Sequence, residues 1–150
     1  MGVVYQQAAA IPFRFEAQQL QILLVQTRSG NRWTIPKGLI DPGFTPQETA
    51  LQEAYEEAGI KGVLHPDVFG EFSYAKWQGV CKVQIFLMKV ESELSHWPEK
   101  YFRQRKWEDI DQAVKMIKYS GLGEVIRKLE RESDSLDILT KSRAASKSKR

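Results

Sequence analysis

The chain has 150 residues, 42% of them hydrophobic and 27% charged, which is the size and balance of one domain burying about two thirds of the surface it exposes when unfolded. No apolar run approaches the roughly 20 residues of a membrane-spanning helix, and the single cysteine, Cys81, excludes an internal disulfide. The net charge of +3 belongs to one end: Lys141, Arg143, Lys147, Lys149 and Arg150 carry five positive charges, so residues 1–140 carry 3 − 5 = −2, and nucleic acid is not the expected partner.

MGVVYQ carries no signal pattern, which predicts a cytoplasmic protein with no membrane contact. Val3 to Ala10 and Leu20 to Thr27 read as strands, the second apolar enough to be buried on both faces, and Arg28 to Asn31 marks the turn after it. Trp33 and Ile35 alternate with Arg32 and Thr34 as a short strand does, delivering the backbone to Pro36, Lys37 and Gly38. Lys37 is then expected at the mouth of any site this loop builds. Gly38 and Gly43 suit positions of positive φ or close approach.

A helix is predicted from Pro46. Thr45 is its N-cap, Pro46 its first residue and Glu48 the capping-box partner, while Gly59 is the left-handed residue past its end. Leu51, Ala54, Tyr55 and Ala58 fall on one side at i, i+3, i+4 and i+7, predicting an apolar packed face. Glu53, Glu56 and Glu57 fall on the other and are expected to form an open carboxylate face. As a plain acidic surface this is unfavourable. The pairs 53 with 56 and 53 with 57 each cost about 0.2–0.5 kcal/mol. Glu56 and Glu57, at the negative end of the helix dipole, cost about 0.3–1 kcal/mol apiece. No lysine or arginine in the helix offsets these terms. A hard divalent cation, Mg²⁺ or Mn²⁺, would reverse their sign.

Gly38, five residues, Phe44, seven residues, then Gln52-Glu53-Ala54-Tyr55-Glu56-Glu57-Ala58-Gly59-Ile60 resembles the Nudix box, GX5EX7REUXEEXGU with U aliphatic. Phe44 replaces its first glutamate and Gln52 its arginine; Glu53, Glu56 and Glu57, which match its metal-binding set, are intact. The Phe44 ring is expected to pack against the loop. The Gln52 amide can still donate one hydrogen bond to a carboxylate, as the family's arginine does.

Further along, Phe69 to Trp77 and Val80 to Val90 read as a hairpin around Gln78-Gly79, with Cys81 as a buried, inert thiol. Glu91 to Lys100 reads as a loop in which His96 is expected in solvent and Glu93 and Glu99 are minor candidates for a further metal ligand. Tyr101 to Trp107 reads as a strand placing Arg103 and Arg105 on one face, where they could meet phosphates or line a solvated edge. Asp109 with Gln112 caps a helix through Ala113, Val114, Met116 and Ile117, and Leu122 to Leu129 forms the last helix. A domain over residues 1–140 and a basic, disordered tail over 141–150 complete the expected organisation.

Strands and helices in this order suggest a mixed sheet with helices on both faces, and the resemblance implies an α+β fold, the Nudix α/β/α sandwich. Trp97-Pro98-Glu99, Arg103, Arg105-Lys106-Trp107 and Ala113 further resemble the branch hydrolysing diphosphoinositol and diadenosine polyphosphates, although Gln6 and Gln7 stand where that branch has basic residues. The resemblance implies hydrolysis of a diphosphate bond in a small-molecule polyphosphate. Glu53, Glu56 and Glu57 would serve as metal ligands and catalytic groups, with the general base among them left open, and Lys37, Gly38, Arg103 and Arg105 would contact substrate. The competing expectation is a nucleotide-binding module that has lost turnover.

Overall fold

The structure, a computed structural model, describes residues 2–134; the basic segment 141–150 lies outside them. Its strands are β1 (Val4–Glu16), β2 (Gln19–Gln26), β3 (Trp33–Thr34), β4 (Lys37–Leu39), β5 (Ile60–Leu64), β6 (Gly70–Lys76), β7 (Gly79–Glu93) and β8 (Arg105–Asp109), and its helices are α1 (Pro46–Ala58), α2 (Ile110–Met116) and α3 (Ser120–Arg131). All eight strands join one sheet of order β3-β2-β1-β7-β5, with β4 on β1, β6 on β7 and β8 on β2. The β1–β7 pair is parallel and its neighbours are antiparallel. The sheet is therefore mixed.

Period-two alternation along the central strands gives each face its own core. Phe13 of β1, Ile22 and Leu24 of β2, and Ile85 and Leu87 of β7 point one way, into Ala113 of α2 and Leu122, Ile126 and Leu129 of α3. Ala8 and Ala10 of β1, Leu23 and Val25 of β2, and Phe86 and Met88 of β7 point the other way, against Ala50, Ala54 and Ala58 of α1. Helices thus cover both faces, as the α/β/α sandwich requires. Small residues on both sides of the second interface let α1 lie close to the sheet.

Several elements differ from their sequence reading. β1 runs on to Glu16 because Ala17 and Gln18, at φ 52° and 68°, close a tight hairpin without glycine or asparagine. Trp77 and Gln78, at φ 54° and 58°, do the same between β6 and β7, one residue earlier than expected. β5 was not anticipated; it pairs with the end of β7, which extends to Glu93. The strand expected from Tyr101 starts only at Arg105. The Glu99 carbonyl accepts hydrogen bonds from the N–H groups of Phe102 and Arg103, at 3.2 and 3.0 Å, and that turn keeps Arg103 off the strand. Arg103 and Arg105 therefore do not share a strand face. Cys81 is buried as a free thiol, as expected.

Candidate active site

Helix α1 begins and ends as its sequence dictates. The Glu48 N–H donates to the Thr45 hydroxyl at 3.0 Å, and the Thr45 N–H donates to the Glu48 carboxylate at 2.9 Å. Gly59 closes the helix at φ 65°, and its N–H donates to the Tyr55 carbonyl at 3.0 Å. The last carbonyls, orphaned in any helix, are met from outside. Trp97 Nε1 donates to the Glu57 carbonyl at 3.1 Å, and Arg105 Nη1 donates to those of Ala58 and Gly59 at 2.9 and 3.2 Å. The Arg105 guanidinium also lies 4.1 Å from the centroid of the Trp97 ring. This cation answers the negative end of the helix dipole, which no residue inside the helix does.

The helix is rotated relative to the face predicted for it. Tyr55 is 40% exposed, whereas Glu57 is only 6% exposed. The alanines at 50, 54 and 58 pack on the sheet and turn Glu57 inward. The carboxylates consequently face a cavity rather than open solvent. Its volume is about 480 Å³, within the range of small-molecule sites.

Glu57 is fixed from two sides. The Lys37 N–H donates to Oε1 at 3.3 Å, and Arg103 Nη2 lies 3.6 Å from Oε2. Arg103 is itself pinned, donating from Nε to Glu99 Oε1 and from Nη1 to the Gln26 carbonyl, both at 2.6 Å. Glu53 lies against Gly38, where a Cβ would come within 2.5 Å of its carboxyl group. Glycine at 38 is thus needed for close approach to a glutamate side chain. Glu56 Oε2 accepts from Gln52 Nε2 at 2.6 Å, the bond the sequence left available to that amide. Phe44, expected to be packed, is 51% exposed instead; its N–H donates to the Asp41 carbonyl in a turn that directs the ring outward.

Burial, more than crowding, sets the protonation of Glu53, Glu57 and Lys37. Burial, followed by the charges of Glu57, Glu56 and Glu99, pushes Glu53 up to about 9. Burial also raises Glu57, although Arg103 pulls it down. Burial lowers Lys37 to about 8 against the attraction of Glu57. Among the described residues, no three acidic side chains already stand at metal-ligand spacing. The donor chemistry nevertheless fits a hard divalent cation. Burial raises both Glu53 and Glu57 and so favours a proton on the pair, and a cation would take the place of that proton.

Of the residues singled out by sequence, Glu53, Glu56, Glu57, Lys37, Gly38 and Arg103 line the one cavity. Arg105 does not, being engaged at the end of α1. Glu99 lines the cavity, whereas Glu93 pairs with Arg14 at 3.7 Å and Arg105 at 4.0 Å. Sequence reasoning missed Gln7, Arg28, Thr34, Lys76, Trp77, Lys118 and Tyr119 in the cavity wall. Tyr119 stacks on Tyr74 with 4.3 Å between centroids, and Lys37 Nζ lies 5.0 and 5.5 Å from the two rings. Gln7 is buried, and its Oε1 accepts from the Tyr74 hydroxyl at 2.8 Å. Among the described residues, Thr34 Oγ1 is buried without a hydrogen-bond partner. No spacing rule could have joined these residues, because they arrive from β1, the β2–β3 loop, β3, the end of β6 with its turn into β7, and the α2–α3 link.

Comparison with known proteins places this geometry. The NUDIX domain family model matches residues 4–129. Nudix hydrolase 16, mitochondrial, of Arabidopsis thaliana is 30% identical over 137 residues, covering 79% of this chain and 76% of the relative. Diphosphoinositol polyphosphate phosphohydrolase 3-alpha of Mus musculus is 31% identical over 112 residues, covering 73% and 67%. The crystal structure of the C. elegans Ap4A hydrolase superimposes with a TM-score of 0.74 at 28% identity, covering 86% of this chain and 98% of that one.

Proposed function

Because the chain belongs to the Nudix family of hydrolases, we propose that it cleaves a diphosphate bond in a nucleoside or dinucleoside polyphosphate, using Mg²⁺ or Mn²⁺ held by Glu53, Glu56 and Glu57. The observation that carries this reading is the meeting, in one cavity, of three crowded glutamates with the cations Arg28, Lys37, Lys76, Arg103 and Lys118. A divalent cation there supplies charge neutralisation at the phosphates and water activation.

The protein's own groups do the rest. Glu57, held by the Lys37 N–H and by Arg103, is the most firmly oriented carboxylate, and Gln52 orients Glu56. Lys37 and Arg103 offset charge on the phosphate chain next to the carboxylates, and Lys76 and Lys118 do so nearer the rim. Tyr119 and Trp77 give a nucleobase an aromatic wall. Gln7, neutral and buried in the same cavity wall and bonded to Tyr74, favours a nucleoside over a heavily phosphorylated inositol ring, which would call for a further cation at that position.

The test is a panel of nucleoside, dinucleoside and inositol polyphosphates, assayed with and without Mg²⁺. Turnover is expected for nucleotide substrates and should be abolished by chelation. Glu57→Gln should lower kcat by about 10²–10⁴ while leaving the fold intact. Wild-type rates in that variant would overturn the assignment.

A further inference from the structure

A second aromatic surface adjoins the cavity on the flank opposite Trp77. Phe102 and Tyr101 stand side by side in the turn leading to β8, 43% and 93% exposed. Neither ring belongs to either apolar core. Their segment is nonetheless held in place: the Glu99 carbonyl accepts from the N–H groups of Phe102 and Arg103, and the Arg103 side chain is tied to Glu99 and to the end of β2. Both Glu99 and Arg103 line the cavity. Arg28, another cavity residue, lays its guanidinium 4.9 Å from the centroid of the Phe102 ring.

A planar cation stacked on a phenyl ring, at the edge of a cavity rich in phosphate-binding groups, is a surface on which a nucleobase stacks. The other aromatic wall comes from the far side of the sheet. β2 and β8 flank β1 on one side, and β7 and β6, which carry Trp77 between them, flank it on the other. Between the two flanks lie the carboxylates with Lys37 and Arg103. A phosphate chain bearing a planar group at each end matches this order of groups, whereas a substrate with one such group leaves the Phe102 side empty.

Resting on the reading of the cavity as a polyphosphate-hydrolysing site, we propose that Arg28 and Phe102, extended by Tyr101, form a second base-stacking subsite that selects substrates with two nucleoside heads over those with one.

Calorimetric binding of methylene-bridged, non-hydrolysable analogues of diadenosine tetraphosphate and of ATP, both in Mg²⁺, tests this. Phe102→Ala should weaken the two-headed analogue about tenfold, within the range that base–aromatic stacking supports, and leave the one-headed analogue within about twofold. Phe102→Trp should restore the difference, and Tyr101→Ala should reduce it in part. Equal weakening of both analogues, which would make the turn a mere support for Glu99 and Arg103, overturns the proposal, as does no change in either. Turnover by the unmodified protein is measured alongside. If no polyphosphate is cleaved, the hydrolase reading fails, while the ratio of the two affinities still decides for or against the subsite.

Discussion

Glu53 concentrates the electrostatic cost of the site in one side chain. Unfolded, its carboxyl titrates near its ordinary value of 4.5; folded, it is pushed up to about 9. Below 4.5 it is protonated in both states and has no effect on stability. Between those limits only the folded state retains the proton, so stability falls as pH rises, and above about 9 the loss is complete. Without divalent cations, the melting temperature is expected to decline between about pH 5 and about pH 9, and Glu53→Gln should flatten that decline. Mg²⁺ competes with the same proton and should therefore raise the melting temperature more at about pH 8.5 than at about pH 6. Thermal melts with and without chelator measure both effects. An unchanged slope in Glu53→Gln would mean that its neighbours, not this carboxyl, hold the proton. Gln52, by contrast, is neutral and orients Glu56 without altering the charge balance.

At the scale of the element, α1 is secured at its C-terminal end by residues distant in sequence. Trp97 lies so close over Gly59 that an added Cβ would sit 2.6 Å from its ring. Gly59→Ala is therefore expected to cost about 1–2 kcal/mol for the left-handed backbone and about 1–3 kcal/mol more for the overlap. Gly30→Ala, at φ 84° with nothing among the described residues within 4 Å of the new Cβ, should show the backbone cost alone. Urea denaturation of the two variants separates the terms, and equal losses would mean that Trp97 moves aside freely. Displacing Trp97 also removes its hydrogen bond to the Glu57 carbonyl, so Gly59→Ala should lower kcat whereas Gly30→Ala should not. The bounds of this helix were legible in advance because caps are local chemistry: Thr45, Pro46, Glu48 and Gly59 act on backbone groups within one turn. Its rotation was not legible. Nothing inside the helix tells that Ala8 and Ala10 await Ala50, Ala54 and Ala58, and so pattern alone assigned Tyr55 to the packed face.

For the whole molecule, sandwich architecture and the carboxylate centre followed from periodicity and motif, whereas the cavity wall depended on pairings made across long stretches of chain. Lys76, Trp77, Lys118 and Tyr119 carry no local mark of their role, and Arg105 would pass for a phosphate ligand until the position of α1 is known. The parallel β1–β7 ladder is the most extended of these pairings, joining Val4 to Val80 across 80 − 4 = 76 residues, a separation that the shorter β2–β8 ladder alone among the ladders exceeds. Helix α1 lies wholly within that interval. The ladder has a consequence in time. Closing so long a segment costs chain entropy before the ladder returns any energy, which is the condition for slow folding. Refolding is expected on the millisecond-to-second scale, with closure of this ladder limiting the rate. Ile11→Val, in the ladder, should then chiefly slow refolding, while Ile126→Val, in α3, should chiefly speed unfolding; stopped-flow kinetics in urea distinguishes the two, and the reverse pattern would place the nucleus in the helices. During synthesis, the carboxylate helix leaves the ribosome well before the strand that closes the sheet over it, so the protein passes through a period in which its most acidic segment is made but not yet housed.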